Sequence, residues 1–359
     1  MPFRRDREKL LAERYLYVLS GYAGPDPLGT TGRAPAFEFQ RFVQLTGADL
    51  LSLSTVRPAE LGLRTKLAPR LLLDRLRLAL LVARRCGDYD AVIASGEDIG
   101  VLVALMMRTL GRTTPLVIIT HGPQFTSGRF RRVVSLIRSM RNVVFACLSR
   151  SLSEWLVTHH GMDPDRCLAV GYGVDADFFA SVKGRTAEVV VSAGVSHRDY
   201  DTLIDAVTGT GLDTRIAADS TWVGKTASTN KAVPDHVGIR SYGNYERLRE
   251  LYREARVVVV PTHDVPFAAG LAVIGEAMAT GTAVVASKGR VTSDFVIDGV
   301  TGILVPPGDA GALRSAITSL IENPDLAATM GAAAADRIAT SFSLDRYVER
   351  LRRAVDHAG

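Results

Sequence analysis

The stretch 257–307 constrains the fold of this chain more than any other part of the sequence. It begins with four valines that stop at Pro261, a residue that cannot continue a strand ladder. After a polar loop, Gly270 opens a predicted helix, and Gly281 supplies the left-handed residue that commonly ends one. A second apolar strand is predicted at 282–287. Strand, helix and strand in this order predict one segment of a parallel α/β sheet.

The predicted helix carries one carboxylate among very small side chains. A carboxylate is costly to bury without a partner. Small residues let a ligand approach the N–H groups at the helix start, where the helix dipole favours anions. One interpretation is a ligand with phosphate at the helix start and a hydroxyl-rich part on the glutamate; the other is a surface glutamate beside a tightly packed alanine helix. The residues concerned are Ala268, Ala269, Ala272 and Glu276.

Length and composition favour a globular protein of two domains. The chain has 359 residues, of which 47% are hydrophobic and 23% charged. Its net charge of +5 suits a polyphosphate ligand or an anionic surface, and no nucleic-acid partner is expected. Three widely spaced cysteines show no metal-binding spacing and favour a reducing compartment. Neither a secretory leader nor an apolar run of ~18 residues is present, so a cytoplasmic protein is expected.

Short apolar strands alternate with helices through the first half of the chain, which predicts a parallel sheet with helices on both faces. The loop after the first strand, 21–35, is long and rich in glycine and proline. Loops at the carboxyl ends of such strands line the ligand crevice, although a flexible surface loop is the alternative. The strands are predicted at 15–20, 50–54, 90–95, 115–120 and 142–148.

His121 directly follows one of these strands, in a Gly-Pro turn. Open α/β sheets place reactive groups at this end of a strand. An imidazole titrates near physiological pH, so His121 is a candidate to orient or deprotonate an acceptor hydroxyl. A turn histidine bonded to backbone is the alternative.

The segment 129–141 has apolar residues on one helical face and five arginines around it. This pattern is typical of an ordinary helix over a core, and also of a helix on an anionic membrane surface. A core helix is the preferred prediction because a buried sheet continues beyond it. Peripheral membrane contact remains the alternative.

Several segments together resemble the donor-binding half of family 4 glycosyltransferases. The resemblance implies the GT-B architecture, in which two Rossmann-like, doubly wound α/β domains face a central cleft. It predicts an acceptor-side domain at 1–181, a donor-binding domain at 182–343, and a C-terminal helix at 344–359 that packs back toward the first domain. The resemblance rests on VGYGVDADFF at 170–179, YERLRELYREARVVVVP at 245–261, GLAVIGEAMATGTAVVAS at 270–287 and DGVTGILVPPGD at 298–309.

The resemblance implies a glycosyltransferase, of the hexosyltransferase type, that uses a nucleotide-diphosphate sugar. It further implies retention at the anomeric carbon, no bound metal and no cofactor beyond the donor. The acceptor would be a sugar, a lipid-linked glycan or a small molecule. No G-x-G-x-x-G follows a predicted strand, so a nicotinamide enzyme is disfavoured. The alternatives are a non-catalytic subunit that binds nucleotide or a partner enzyme, and a GT-B sugar-nucleotide epimerase.

By the family pattern, two glutamates lie eight positions apart, the first contacting the donor sugar and the second the ribose. The second matches Glu276, but the first falls at Ala268, and one extra residue follows Gly270. Asp264 is a candidate to replace the missing carboxylate, or it caps its own loop. The N–H groups of Gly270 and Leu271 are predicted to meet the donor diphosphate.

The family also supplies an arginine and a lysine to the diphosphate from the loop that begins here at Gly194. Arg198 matches this arginine, unless it pairs with neighbouring aspartates on the helix surface, and the lysine is absent at its usual place. Lys225 is a candidate replacement. Tyr242 is predicted to contact the base or to cover the sheet edge, and two glycines of the first loop, Gly21 and Gly24, are candidates to face the phosphates.

Overall fold

The computed structural model describes residues 13–21, 34–56, 68–180, 187–218 and 229–359, with backbone only for 68–70. The predicted site residues Gly24 and Lys225 lie outside the described residues. The described chain forms two compact units: unit one contains 13–21, 37–171 and 347–359, and unit two contains 34–36 and 172–346. The predicted domain boundary near residue 181 stays a prediction.

The described residues of unit one form a six-stranded parallel sheet in the order β2-β1-β3-β4-β5-β6. Val18, Ala94 and Ile118 lie side by side across β1, β3 and β4. The four strands β1, β3, β4 and β5 are buried along their whole length, as expected for strands covered on both faces. The strands are β1 (Tyr15–Val18), β2 (Asp49–Leu51), β3 (Ala91–Ala94), β4 (Leu116–Thr120), β5 (Val143–Cys147) and β6 (Cys167–Ala169).

The helices of unit one begin where the sequence offers caps. Ser127 and Ser149 each accept a hydrogen bond from the third backbone N–H of the helix that follows. The arginine-rich segment forms a core-facing helix, as predicted, and buries Phe130, Val134 and Ile137. The predicted strand 50–54 was wrong beyond Leu51, because Ser52 and the short helix α2 turn the chain there. The helices are α1 (Glu38–Thr46), α2 (Leu53–Val56), α3 (Ala68–Arg85), α4 (Glu97–Thr109), α5 (Gly128–Ile137) and α6 (Arg150–His160).

The described residues of unit two form a second six-stranded parallel sheet, in the order β12-β11-β10-β7-β8-β9. From Tyr347 onward, the last helix belongs to unit one. In chain order the elements are α7 (Ala176–Phe179), β7 (Val190–Ala193), α8 (Tyr200–Val207), β8 (Thr214–Ala217), β9 (Val237–Arg240), α9 (Tyr245–Glu254), β10 (Val257–Val260), α10 (Leu271–Ala279), β11 (Ala283–Ser287), α11 (Thr292–Phe295), β12 (Ile303–Val305), α12 (Ala310–Glu322), α13 (Pro324–Arg337) and α14 (Leu344–Asp356).

Close backbone contact fixes the carboxyl end of α10. Gly281 adopts the left-handed φ of 75° that was predicted to end this helix. Gly331 of α13 lies directly on that turn, where a methyl group on it would come 2.0 Å from the carbonyl oxygen of Gly281. Since no side chain fits in this space, α13 holds α10 at a defined position against the sheet.

In both sheets, the side on which successive strands are added changes at an inner strand. In unit one the chain passes from β1 to β2 on one side and then to β3 on the other; in unit two it passes from β7 to β8 and β9, then to β10 on the opposite side. Loops that follow the two strands at such a reversal diverge and leave a crevice where ligands bind. The candidate ligand-binding loops are therefore those after β7 and β10 in unit two and those after β1 and β3 in unit one.

Candidate donor site and histidine loop

The amino end of α10 is open toward the loop after β7. Gly270 caps the helix in the left-handed region, with φ 82°, and a Cβ there would lie 2.9 Å from Cγ1 of Val260. Among the described residues no side chain caps α10. The first N–H groups of the helix, beginning at Leu271, have no intrahelical acceptor and are placed to bind an anion.

The Arg198 guanidinium lies beside this helix end. Its Nε donates to the carbonyl of Ala193 at 2.8 Å and its Nη1 to that of Ser196 at 3.1 Å. A methyl group on Gly194 would lie 2.7 Å from Nη2 of Arg198, and one on Gly270 would lie 3.5 Å from Nη1. The structure thus brings Gly194, Arg198 and Gly270 together, as the predicted site requires. Burial lowers the pKa of Arg198, so an anionic ligand would offset the cost of holding this charge here.

The loops after β7 and β10 are joined by backbone hydrogen bonds. The N–H of His263 donates to the carbonyl of His197 at 3.1 Å, and the N–H of Asp199 donates to that of Pro261, also at 3.1 Å. His197 is the one non-glycine residue of the described chain with a positive φ, 56°, and its ring packs edge-on against Phe267. A conformation this sparsely populated persists only where the surroundings fix it.

The aspartates that offered an alternative partner for Arg198 bond elsewhere. Asp199 caps α8 by accepting from the N–H and hydroxyl of Thr202, at 3.1 and 2.7 Å. Asp201 accepts from the hydroxyl of Thr229 and the N–H of Asn230. Within the described ranges Arg198 forms no ion pair with either carboxylate, so its guanidinium is held by carbonyls.

Glu276 lies half-buried on the same face of α10 as Ala272, one helical turn earlier. The Tyr252 hydroxyl donates to its Oε2 at 3.0 Å. Burial raises the pKa of Glu276 from its ordinary 4.5 to about 7, against the opposing effects of the Tyr252 hydrogen bond and the Arg198 charge. A carboxylate in this position is suited to accept hydrogen bonds from ligand hydroxyls.

Next to Ala269, a narrow pocket with a volume of about 10 Å³ lies between the loops that follow β10 and β11. Asp264 and Ala269 both line it, and Asp264 is exposed. The half-buried Ala268 stands next to Ala269 in the same loop. Replacement of the missing family carboxylate by Asp264 stays a prediction.

Tyr242 does not line the same region as Arg198 and Glu276. It lines an open groove with Arg215, Glu246 and Glu254, separate from the residues around Arg198 and Glu276. Partial burial raises the pKa of its hydroxyl. A contact between Tyr242 and a nucleotide base stays a prediction.

In unit one, the His121 loop is fixed by a carboxylate that the sequence analysis missed. The N–H groups of His121 and Gly122 donate to the two oxygens of Glu97, at 3.0 and 3.2 Å. Glu97 is the first residue of α4 and only 3% exposed. An acidic residue in the first turn of a helix that follows a strand was the available sequence signal, since the helix dipole favours it there.

The ring of His121 is also fixed. Its Nε2 lies 3.2 Å from the carbonyl oxygen of Ser95, and the Ser95 hydroxyl accepts from the N–H of Ser20 at 2.9 Å. A carbonyl only accepts, so Nε2 carries the proton and Nδ1 of the neutral ring keeps its lone pair. The predicted turn histidine and the predicted reactive histidine are thus compatible. Gly21, next to Ser20, is exposed, and its contact with phosphate stays a prediction.

For a chain that hydrolyses a bound sugar nucleotide, we expect Glu97→Gln to slow that hydrolysis about tenfold without changing nucleotide affinity. An amide presents one acceptor where the carboxylate has two, which leaves one backbone donor unpaired at a cost of about 1–3 kcal/mol. Hydrolysis rate, UDP titration and thermal melting of the same preparation measure the effects. The exposed Glu154→Gln on α6 is the control. A Glu97 variant with full hydrolysis and a lowered Tm would show that Glu97 serves folding alone.

No group of three or more His, Cys, Asp or Glu among the described residues could hold a metal ion, and absence of a metal stays a prediction. No helix in the same ranges is long and apolar enough to cross a membrane.

Known structures share this architecture over nearly the whole chain. HepE from Anabaena, in complex with UDP and glucose, superimposes with a TM-score of 0.68 at 18% identity, over 96% of this chain and 99% of that one. Sucrose-phosphate synthase from Thermosynechococcus elongatus gives a TM-score of 0.71 at 18% identity, over 95% and 98%. The two parallel sheets and these likenesses define a GT-B protein built from two Rossmann-like domains, which confirms the predicted fold class.

Sequence comparison gives the family. Residues 188–337 match the model of glycosyl transferases group 1. D-inositol 3-phosphate glycosyltransferase of Streptomyces scabiei is 33% identical over 302 residues, 73% of this chain and 66% of that protein. The corresponding protein of Geodermatophilus obscurus is 32% identical over 225 residues, 55% and 48% of the two chains. The matches thus span less than two thirds of these relatives. Residues 188–337 belong to the glycosyl transferases group 1 family, and the predicted recognition of a GT-B glycosyltransferase is confirmed.

Proposed function

We propose that the chain transfers a hexosyl group from a nucleotide-diphosphate sugar to an acceptor hydroxyl. One observation carries this proposal: the uncapped amino end of α10 faces the Arg198 guanidinium, and Glu276 lies one turn further along the same helix. An anion site with an adjacent hydroxyl-binding carboxylate fits a diphosphate attached to a ribose. HepE, which shares the fold, binds UDP and UDP-glucose.

In the proposed reaction, negative charge develops on the departing diphosphate. The first N–H groups of α10 and the Arg198 guanidinium are already in place to stabilise this charge, which is the most effective form of electrostatic catalysis. Glu276 holds the ribose. Because these groups supply the positive charge, the proposal includes no metal ion, and retention at the anomeric carbon is proposed from the family resemblance.

His121 is proposed to act on the acceptor side. With Nε2 bonded to the Ser95 carbonyl, Nδ1 is the nitrogen that can take a proton from an acceptor hydroxyl. Burial raises the pKa of the Glu38 carboxyl, and the nearby charge of His121 opposes that rise.

A non-catalytic, nucleotide-binding subunit is the second candidate. It is favoured by Ala268, which stands where the family pattern has a carboxylate on the donor sugar. Such a subunit would bind the nucleotide sugar through Arg198 and Glu276 without turnover.

Incubation with labelled UDP-, GDP- and ADP-sugars separates the two candidates. We expect slow hydrolysis of one donor class by the wild-type chain, because water can replace the acceptor. Binding without hydrolysis, followed by turnover only when a second protein is added, would support the subunit. Absence of binding to every donor would contradict both.

We further propose peripheral contact of unit one with an anionic membrane, which suits a lipid-linked acceptor. Arg129, Arg131, Arg132 and Arg138 are exposed on or beside α5, and no Asp or Glu occurs between Asp98 and Glu154. Basic side chains around an apolar helix face attract anionic lipid headgroups. Co-sedimentation with phosphatidylglycerol vesicles at low salt, but not with phosphatidylcholine vesicles, tests this contact.

A further inference from the structure

Tyr252 of α9 is tied to α10 and its following turn at two points. Its hydroxyl donates to Oε2 of Glu276 at 3.0 Å, and its backbone carbonyl accepts from the Thr282 hydroxyl at 2.8 Å. Thr282 lies in the turn after α10 and before β11. Tyr252 is thus anchored at the carboxyl end of α10, while its side chain reaches the Glu276 carboxylate.

The ring of Tyr252 is fixed by burial. None of its surface is exposed, with a relative exposure of 0%, and a buried tyrosine hydroxyl requires a partner in the protein. The helix that carries it is itself held in place. Arg249 of α9 donates to the carbonyl of Phe178 at 3.0 Å, and its guanidinium lies 4.8 Å from the centre of the Phe178 ring. The hydroxyl therefore occupies a defined position beside α10.

The groups that act on the Glu276 carboxyl come from two other elements. Burial raises its pKa to about 7, whereas the hydrogen bond from Tyr252 and the charge of Arg198, in the loop after β7, oppose that rise. Two apolar side chains, Val174 and Phe295, lie against the preceding residue of α10. Within the described residues, Tyr252 is the hydrogen-bond donor to this carboxylate.

A fixed donor on one oxygen prepares the carboxylate for a second ligand. A carboxylate has two oxygens and about four sites for donors, so the bond to Oε2 leaves Oε1 for ligand hydroxyls. The bond also restricts rotation of the carboxylate, which reduces the freedom lost when a ligand binds. Because the hydroxyl donates its proton, it stabilises the ionised form, and this form accepts from a ribose.

We propose that Tyr252 is a positioning residue of the donor site, whose hydroxyl holds the Glu276 carboxylate in the orientation that accepts hydrogen bonds from the ribose. The proposal rests on the proposed ribose contact of Glu276 and adds the residue that prepares it. Since Tyr252 has no exposed surface, it acts through Glu276 and not by contact with the nucleotide.

Calorimetric titration of two nucleotides into the full chain, at about pH 7 and about pH 9, tests the proposal. One is UDP, and the other is dideoxyuridine diphosphate, which lacks both ribose hydroxyls. The ratio of their affinities reports the ribose contact, because both carry the same base and diphosphate and the phosphate titration cancels. We expect the wild-type chain to prefer UDP about 10- to 100-fold.

Tyr252→Phe should reduce this preference about tenfold near pH 7, but less than about threefold near pH 9. Without its donor, the Glu276 carboxyl should ionise about one pH unit higher, so the ionised form that binds the ribose is regained as the pH rises. A purely structural role of Tyr252 would not produce a loss that depends on both the ribose hydroxyls and the pH.

Tyr89→Phe is the matched control, because the Tyr89 hydroxyl also donates to a carboxylate, Oδ2 of Asp49 at 2.8 Å, but in unit one. It should leave both affinities unchanged. An unchanged preference in Tyr252→Phe, or equal losses for the two nucleotides at both pH values, would overturn the positioning role and leave the donor-site proposal intact. A wild-type chain that binds the two nucleotides equally, or binds neither, would contradict the ribose contact of Glu276 and with it the role of Tyr252.

Discussion

Replacing Arg198 with alanine is expected to weaken UDP binding about 100-fold, while uridine binding changes less than about twofold. The guanidinium is already aimed at the start of α10 by its bonds to the carbonyls of Ala193 and Ser196. Little freedom is therefore lost when it binds phosphate, and each charge-assisted hydrogen bond contributes about 1.5–3 kcal/mol. Calorimetric titration of both ligands measures the difference.

Arg198→Lys is the matched variant. It keeps the charge but loses the planar fork, so UDP affinity should fall between those of wild type and Arg198→Ala. Arg240→Ala, at the exposed end of β9, is the control on the same sheet. Equal losses for UDP and uridine in Arg198→Ala would contradict a phosphate contact and point to collapse of the loop after β7.

Replacing Glu276 with alanine is expected to weaken UDP binding about 10- to 100-fold, because two ribose hydroxyls lose a charged acceptor. The effect should depend on pH. Burial raises the pKa of Glu276 to about 7, and hydroxyl donors favour the ionised carboxylate. Wild-type affinity should therefore rise about tenfold between about pH 6 and pH 8.

The phosphate of UDP itself titrates near pH ~6, as phosphate monoesters do. Glu276→Gln isolates the carboxylate from this background, since it keeps the acceptor for Tyr252 but cannot ionise. Its affinity should follow only the phosphate titration. Parallel pH profiles for wild type and Glu276→Gln would contradict a role of this carboxylate in ribose binding.

The raised pKa of Glu276 also makes the stability of the ligand-free chain depend on pH. A carboxyl with a folded pKa above its unfolded value contributes stability at low pH, which is lost as pH rises through about 7. Glu276→Gln avoids this loss. Relative to wild type it should gain on the order of 2 kcal/mol between about pH 5 and pH 8, allowing for partial solvent exposure. Urea unfolding at the two pH values measures the gain.

Local chemistry made much of unit two predictable. The valines of β10 form a strand because only apolar side chains fit a sheet covered on both faces. Gly270 and Gly281 were expected to bound a helix, and both adopt the positive φ that glycine tolerates. Arg198 was assigned to the diphosphate through the resemblance to family 4 glycosyltransferases, and that contact stays a prediction.

Features that depend on side chains from distant segments could not be predicted. The first-turn position of Glu97 was a sequence signal for the residue itself, but the neighbouring sequence does not indicate that it binds the His121 loop, which follows a different strand. Asp264 and Lys288 line the same pocket only because β10 pairs with β11. The position of Tyr242 was equally open, because a loop residue can turn toward either side of a sheet edge. Sequence patterns identify which loops form a site, whereas tertiary packing selects the side chains that enter it.

A crystal structure of the chain with UDP is the most direct test of the proposed diphosphate site. We expect the diphosphate oxygens within about 2.7–3.2 Å of the N–H groups of Leu271 and Ala272 and of the Arg198 guanidinium. We also expect a ribose hydroxyl to donate to Glu276. A diphosphate bound away from the start of α10, or a Glu276 carboxylate turned into solvent beside bound UDP, would contradict it.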